Sequence, residues 1–183
     1  RRMNENLVIL YSGGLESRFL VDLSLRLKYT PLCLLVDYGQ KHLAELKKAE
    51  EVCNRLCVTY TIAEVSLPMV RSRLVGQSEG AYSNVSEWYV PARNSILVTI
   101  AASVAESQGI DTIWIGASYT DRINHFPDCT QEWIVAMNEM LFVGLSRKVQ
   151  VVAPLLGWPK ELVRSAAKQA FITEEEIYSG YGE

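Results

Sequence analysis

The residues of this 183-residue chain that can do chemistry fall into clusters separated by apolar runs. The first cluster is Tyr11-Ser12-Gly13-Gly14-Leu15-Glu16-Ser17-Arg18. Two consecutive glycines let the backbone turn tightly and approach an anion. Free N–H groups at the start of a following helix, with the helix dipole, favour negative charge there. Ser12 and Ser17 add hydroxyl donors, so Tyr11 through Arg18 are the candidate nucleotide-contacting residues. The plainer alternative is an ordinary strand-to-helix turn with glycine for geometry and serine as a cap. No lysine stands where a Walker loop needs one, and no G-x-G-x-x-G is present. The loop therefore suits a pyrophosphate that departs better than transfer of a terminal phosphate.

The second cluster is Gln40-Lys41-His42. Lys41 can place a positive charge near phosphate and Gln40 can read a base edge; a solvated helix start is the alternative for Lys41 and His42. Arg93-Asn94 forms the third. Arg93 offers a planar, permanently charged fork for phosphate or carboxylate at the head of a nearly all-apolar helix. Asn94 is placed to cap that helix. Asp121 and Asp128 make up the fourth cluster, Asp128 also reading as a helix N-cap with Gln131 three positions on. Cys129 follows at a helix start, where a thiol pKa falls, although a small packing residue suffices there. Cys33, Cys53 and Cys57 read as core. His125 is the only histidine besides His42, so a histidine-based metal site is not expected.

These clusters need elements to hold them. Leu7–Tyr11 is a continuous apolar run of the kind buried on both faces of a parallel sheet. Further strands are expected at Leu32–Asp37, Thr59–Val65, Thr112–Gly116 and Val149–Ala153. Helices are expected over about 15–28, 42–57, 94–106, 128–145 and 159–171. In the second of these, Leu46, Ala49, Cys53, Leu56 and Cys57 share the apolar face, while Glu45, Lys47, Lys48, Glu50 and Glu51 cover the polar one. Residues 66–90 form a long irregular stretch, which in a compact domain is usually functional or mobile. The alternation predicts an α/β fold: one doubly wound, mostly parallel, five-stranded, Rossmann-like sheet in a single domain. Ligands in such sheets bind beyond the C-terminal ends of the strands, so the loops after strands 1, 2 and 4 should carry the site.

Composition narrows the class. The chain is 49% hydrophobic and 21% charged with a net charge of −3, which fits a globular protein and offers no basic footprint for nucleic acid. No apolar run approaches a membrane span and no secretory segment opens the chain. The four cysteines have no framework spacing, so a reducing, cytoplasmic location is expected.

Ser12-Gly13-Gly14-Leu15-Glu16-Ser17 resembles the SGG-x-D-S signature of the PP-loop ATP pyrophosphatases, an adenine nucleotide alpha hydrolase-like group whose members activate an oxygen as an adenylate. Glu16 stands where the signature has Asp, keeping the charge and reaching one methylene further. Three further segments resemble the 7-cyano-7-deazaguanine synthases (the QueC family) in particular. They are Asp37-Tyr38-Gly39-Gln40-Lys41-His42 followed by Glu45; Val90-Pro91-Ala92-Arg93-Asn94; and Gly116 with Tyr119-Thr120-Asp121, then Phe126-Pro127-Asp128-Cys129. Pro154-Leu155 and Lys160 are similar as well. The resemblance runs through nearly the whole chain in order.

It implies ATP and Mg2+ as cofactors, with Lys41, Arg93 and Asp121 as catalytic residues. Gln40, His42, Asn94 and Asp128 would bind substrate. The implied reaction joins 7-carboxy-7-deazaguanine and ammonia, through adenylated intermediates, to give 7-cyano-7-deazaguanine for queuosine or deazapurine biosynthesis, in a homodimer. Two alternatives stay open: an enzyme that stops at the amide or conjugates the carboxyl to another amine, and a non-catalytic nucleotide-binding module. The family usually carries a four-cysteine zinc site near its C-terminus. Here no cysteine follows Cys129, so either that site is lost or residues are missing from the chain; no structural zinc is expected.

Overall fold

A computed structural model describes residues 6–38, 43–66, 90–120 and 126–177. Five strands form its sheet: β1 (Leu7–Leu10), β2 (Pro31–Asp37), β3 (Thr59–Glu64), β4 (Thr112–Trp114) and β5 (Gln150–Val152). The order is β3-β2-β1-β4-β5 and every pairing is parallel. Among the described residues, α1 (Leu15–Arg26), α2 (Leu43–Leu56), α3 (Arg93–Gln108) and α4 (Gln131–Gly144) cross between successive strands, and α5 (Lys160–Gln169) follows β5. The expected elements are all present, with ends shifted by a few residues.

The strands of the centre are apolar because both faces are covered. Leu7 and Ile9 of β1 pack with Cys33 and Leu35 of β2 against α1, α2 and α5, through Leu20, Val21, Ala49, Cys53 and Val163. Val8, Leu34 and Ile113 face the opposite way, against α3 and α4, through Val98, Ala101, Ala102, Ile134 and Leu141. Each fully buried aliphatic side chain in these layers contributes about 1.5–3 kcal/mol of transfer free energy. Alanines at 101, 102 and 105 let α3 lie close to the sheet. That helix closes on Gly109, whose φ of 75° turns the chain and whose N–H donates to the Ala105 carbonyl.

The chain winds from β1 outward to β3, then returns to add β4 and β5 on the other side of β1. The direction therefore switches between β1 and β4, opening a crevice above their C-terminal ends. Gly116, just past β4, borders it. A Cβ there would come within 3.2 Å of both Glu16 Cβ and the Ser17 amide, so the chain beyond β4 touches the first turn of α1. The segment after β4 is also tied to the start of α5. Tyr119 N–H donates to the Trp158 carbonyl at 3.2 Å and Lys160 N–H to Thr120 Oγ1 at 3.1 Å.

Two expectations about packing change. Cys57 is exposed, in a left-handed turn (φ 53°) past the end of α2, and is not a core residue. Glu45, expected on the solvent face of α2, is 7% exposed. It lies one turn before Ala49, and Ala49 is fully buried, so both share the inward stripe. Among the described residues no helix is long and apolar enough to cross a membrane.

Candidate functional site

β1 delivers the glycine loop to the crevice. Tyr11 leaves the β1 ladder but its N–H still donates to the Leu34 carbonyl at 2.9 Å. Gly13 then takes φ 85°, a left-handed conformation that L-residues other than glycine adopt at a cost of about 1–2 kcal/mol. A Cβ on Gly13 would also sit 3.0 Å from the backbone oxygen of Glu45. Glycine is required twice over at this position, by φ and by the close approach of α2.

The serines hold the loop in shape. Ser17 Oγ donates to the Gly14 carbonyl at 3.1 Å and accepts from the Ser12 N–H at 3.3 Å. Ser12 Oγ lies 3.2 Å from Ser17 Oγ and accepts from the Gly14 N–H at 3.4 Å. Ser17 is buried while Ser12 is exposed, so the two expected donors divide: Ser17 builds the loop and Ser12 faces outward. Gly14 is the N-cap of α1, and no side chain among the described residues caps that helix. An α-helix leaves its first four N–H groups without intrahelical partners. An uncapped start beside a glycine turn therefore presents donors and the positive end of the dipole to the crevice, which fits a phosphate group.

Tyr11 and Arg18, read from sequence as part of this loop, have side chains elsewhere. The Tyr11 ring is buried in the core layer under α1 and α2, and burial pushes its phenol pKa upward. The Arg18 guanidinium grips Glu176 through Nε at 3.0 Å and Nη2 at 2.7 Å, and the other oxygen of Glu176 meets Arg55 Nη2 at 2.7 Å. Tyr11 Oη and Arg18 Nη1 are buried and make no hydrogen bond among the described residues. Leu15 is buried too. Of the eight loop positions, Ser12, Gly13, Gly14, Glu16 and Ser17 form the cradle and its rim.

The far wall of the crevice comes from α3 and the turn before α4. Ala92 enters α3 with φ 55°, an unusual conformation for alanine, and Arg93 is the first helical residue. The expectation that Asn94 caps α3 and Asp128 caps α4 is corrected. α4 is capped by Thr130, whose hydroxyl accepts from the Trp133 N–H at 3.1 Å. Asp128 lies instead in a 3-10 turn, Pro127–Cys129, and reaches across to α3, accepting from the Asn94 N–H at 3.1 Å. The Asn94 side-chain amide donates back to the Asp128 carbonyl at 3.1 Å and to Cys129 Sγ at 3.3 Å. Asp128 is buried. Asp128 therefore caps α3 and not α4, and its bonds with Asn94 tie the start of α3 to the turn before α4.

Glu45 is the residue that sequence reasoning undervalued. It lies in the first turn of α2, with its backbone oxygen against Gly13. Its pKa is pushed up to about 7 by burial, which outweighs the opposing pull of the Arg93 guanidinium. The signal was its spacing, four residues ahead of the inward-facing Ala49. Gln40, Lys41, His42 and Asp121 lie outside the described residues, as does most of the irregular stretch 66–90. Among the described residues no group of three or more His, Cys, Asp or Glu side chains is placed to hold a metal ion.

The chain is similar to known proteins over most of its length. The family model described as Queuosine biosynthesis protein QueC matches residues 6–183. A 7-cyano-7-deazaguanine synthase of Psychromonas ingrahamii is 31% identical over 166 residues, covering 84% of this chain and 73% of the relative. The synthase of Thermoplasma volcanium is 34% identical over 165 residues, covering 84% and 68%. That of Thermoplasma acidophilum is 32% identical over 192 residues, covering 95% and 78%. Among solved structures, the U34-tRNA thiolase NcsA of Methanococcus maripaludis, described with its [4Fe-4S] cluster, superposes with a TM-score of 0.64 at 14% identity, covering 99% of this chain and 61% of that one. A predicted tRNA methyltransferase subunit of Methanocaldococcus jannaschii gives 0.61 at 19% identity, covering 90% and 74%. At those identities the structures speak for the fold alone.

Proposed function

From the premise that this chain belongs to the QueC family of queuosine biosynthesis proteins, an enzyme of the ATP-dependent ligase type, we propose that it converts 7-carboxy-7-deazaguanine and ammonia to 7-cyano-7-deazaguanine. The observation that carries the reading is the uncapped start of α1 beneath Ser12-Gly13-Gly14 at the switch point of the sheet. The chain is read as a single PP-loop ATP pyrophosphatase domain.

In this reading the triphosphate of ATP lies on Ser12–Ser17, with the α-phosphate at the helix N-terminus. A substrate carboxylate oxygen attacks the α-phosphorus and pyrophosphate leaves. Ammonia then displaces AMP from the acyl carbon to give the amide. A second activation, on the amide oxygen, removes that oxygen with AMP and leaves the nitrile. The protein positions the reactants and stabilises charge with backbone N–H groups and Arg93. Lys41 and Asp121 are assigned to phosphate and reacting-group contacts, and Gln40, His42, Asn94 and Asp128 to the deazaguanine. For Asn94 and Asp128 the support is position: their reciprocal bonds put a buried carboxylate beside Arg93.

Magnesium commonly binds through one or two carboxylates plus substrate phosphates, and Glu16 at the head of α1 is the carboxylate the loop supplies. The bound ion would offset phosphate charge as pyrophosphate departs. We also read the protein as cytoplasmic and homodimeric. The exposed Val135, Phe142 and Val143 on the outer side of α4 support self-association.

The test is direct. The protein is incubated with ATP, magnesium, ammonium and 7-carboxy-7-deazaguanine, and AMP and the deazaguanine products are followed by mass spectrometry. AMP with amide and then nitrile supports the reading. Amide alone, or ADP in place of AMP, contradicts it.

A further inference from the structure

Ammonia presents itself to an enzyme near neutral pH mainly as ammonium, and its nitrogen must shed a proton to end as an amide. No described residue assigned so far accepts that proton: Arg93 stays charged, and Asp128 is engaged by the Asn94 N–H. We infer that Glu45 is the proton acceptor for the attacking amine. The inference rests on the adenylation reading and deepens it by giving the second half of the reaction its base.

The geometry is as follows. Glu45 sits in the first turn of α2, and its backbone oxygen closes against Gly13 of the phosphate cradle. It is 7% exposed. The only charge among the described residues that acts on it is the Arg93 guanidinium from the first turn of α3. On the loop side the neighbour is Gly13, and the next turn of α2 brings Ala49. The first turns of α2 and α3 thus lie at the C-terminal rim of the sheet on its opposite faces, near enough for Arg93 to act on Glu45. Among the described residues, burial and Arg93 set the proton affinity of Glu45 near neutrality. A carboxylate so poised takes a proton readily and is re-ionised readily.

The step balances. Ionised Glu45 takes a proton from ammonium, freeing the nitrogen lone pair. That pair forms the C–N bond at the acyl carbon of the adenylate. The tetrahedral intermediate loses a second proton from nitrogen to the medium, and the C–O bond to the phosphate breaks with its electron pair leaving on AMP. Glu45 then returns its proton to solvent.

Glu45→Gln and Glu45→Asp separate this role from a structural one. Adenylate formation is read by trapping with hydroxylamine, which is largely unprotonated at neutral pH, as the deazaguanine hydroxamate. Amide formation with ammonium is read in the same mixtures. The expected result for Glu45→Gln is hydroxamate at close to the wild-type rate and amide at least about 100-fold slower, the scale of a lost general base. Glu45→Asp should recover part of the amide rate, and the wild-type amide rate should fall as pH drops below neutrality while the hydroxamate rate falls less. Amide formation within about threefold of wild type in Glu45→Gln would overturn the inference. So would an equal loss of hydroxamate and amide in both variants, which marks Glu45 as a structural support of the cradle. If the wild type releases no AMP with either nucleophile, the adenylation reading itself fails and the inference falls with it.

Discussion

Glu45 also makes a prediction about stability that needs no substrate. Folding moves its pKa from the usual 4.5 to about 7, because burial penalises the charged form. A pKa raised by folding means that the folded state binds the proton more tightly. Any stabilisation by that proton is therefore complete below about pH 4.5 and is lost as pH rises through about 7. At roughly 1.4 kcal/mol per tenfold change in proton affinity, burying the ionised carboxylate costs about 3 kcal/mol at mildly alkaline pH. The residue is 7% exposed, so solvent screening removes little of this. Glutamine has nearly the same shape and no charge. Relative to wild type, Glu45→Gln should therefore gain about 3 kcal/mol between about pH 5 and about pH 8.5, whatever its offset at the acid end. In a chain of this size that is on the order of 10 °C in Tm. Urea melts of both proteins at a series of pH values measure the difference. A difference that does not change with pH, or that moves against the variant as pH rises, would refute the burial argument and remove the basis for a near-neutral Glu45.

Four further outcomes follow from the same geometry. Gly13→Ala should cost at least about 1–2 kcal/mol from φ alone, with the contact to the Glu45 oxygen adding to it, and should abolish ATP uptake in a titration calorimeter. Glu176→Ala leaves the Arg18 guanidinium buried without its ion pair and should destabilise the fold by about 3–5 kcal/mol in denaturant melts. Arg93→Lys keeps a charge but loses the planar fork, so AMP release in the product assay should fall at least about tenfold, with melting behaviour close to wild type. Asp128→Ala removes the cap on α3 and should cost about 1–2 kcal/mol, whereas Thr130→Ala should weaken α4 by a similar amount, both read by thermal unfolding.

The layers of this fold were readable because parallel strands covered on both faces leave uninterrupted apolar runs, such as Leu7–Leu10 and Leu32–Val36. Glycines past β1 and at the end of α3 marked real turns, since both Gly13 and Gly109 take left-handed φ. The shape of the loop after β1 was readable for the same reason, since Ser-Gly-Gly joins a buried strand to a helix start. Less legible were relations between residues distant in sequence. Asp128 caps α3 from 34 positions away, and the local pattern Asp128…Gln131 pointed at the wrong helix because Thr130 competes for the same role at closer range. Arg18 reads as a phosphate ligand by position, yet Glu176, 158 residues on, occupies its guanidinium. Glu45 was masked by its charge: its spacing from Ala49 puts it on the inward stripe of α2, but a carboxylate there reads as solvent-facing until the close approach of α2 to Gly13 is seen.

The proposed reaction turns on an attack by the substrate carboxylate at the α-phosphorus of ATP held over Ser12-Gly13-Gly14. Oxygen-18 placed in the carboxyl group of 7-carboxy-7-deazaguanine follows that attack atom by atom. One labelled oxygen should appear in AMP and none in pyrophosphate. Label that reaches inorganic phosphate, or AMP that forms without acquiring any, would contradict it.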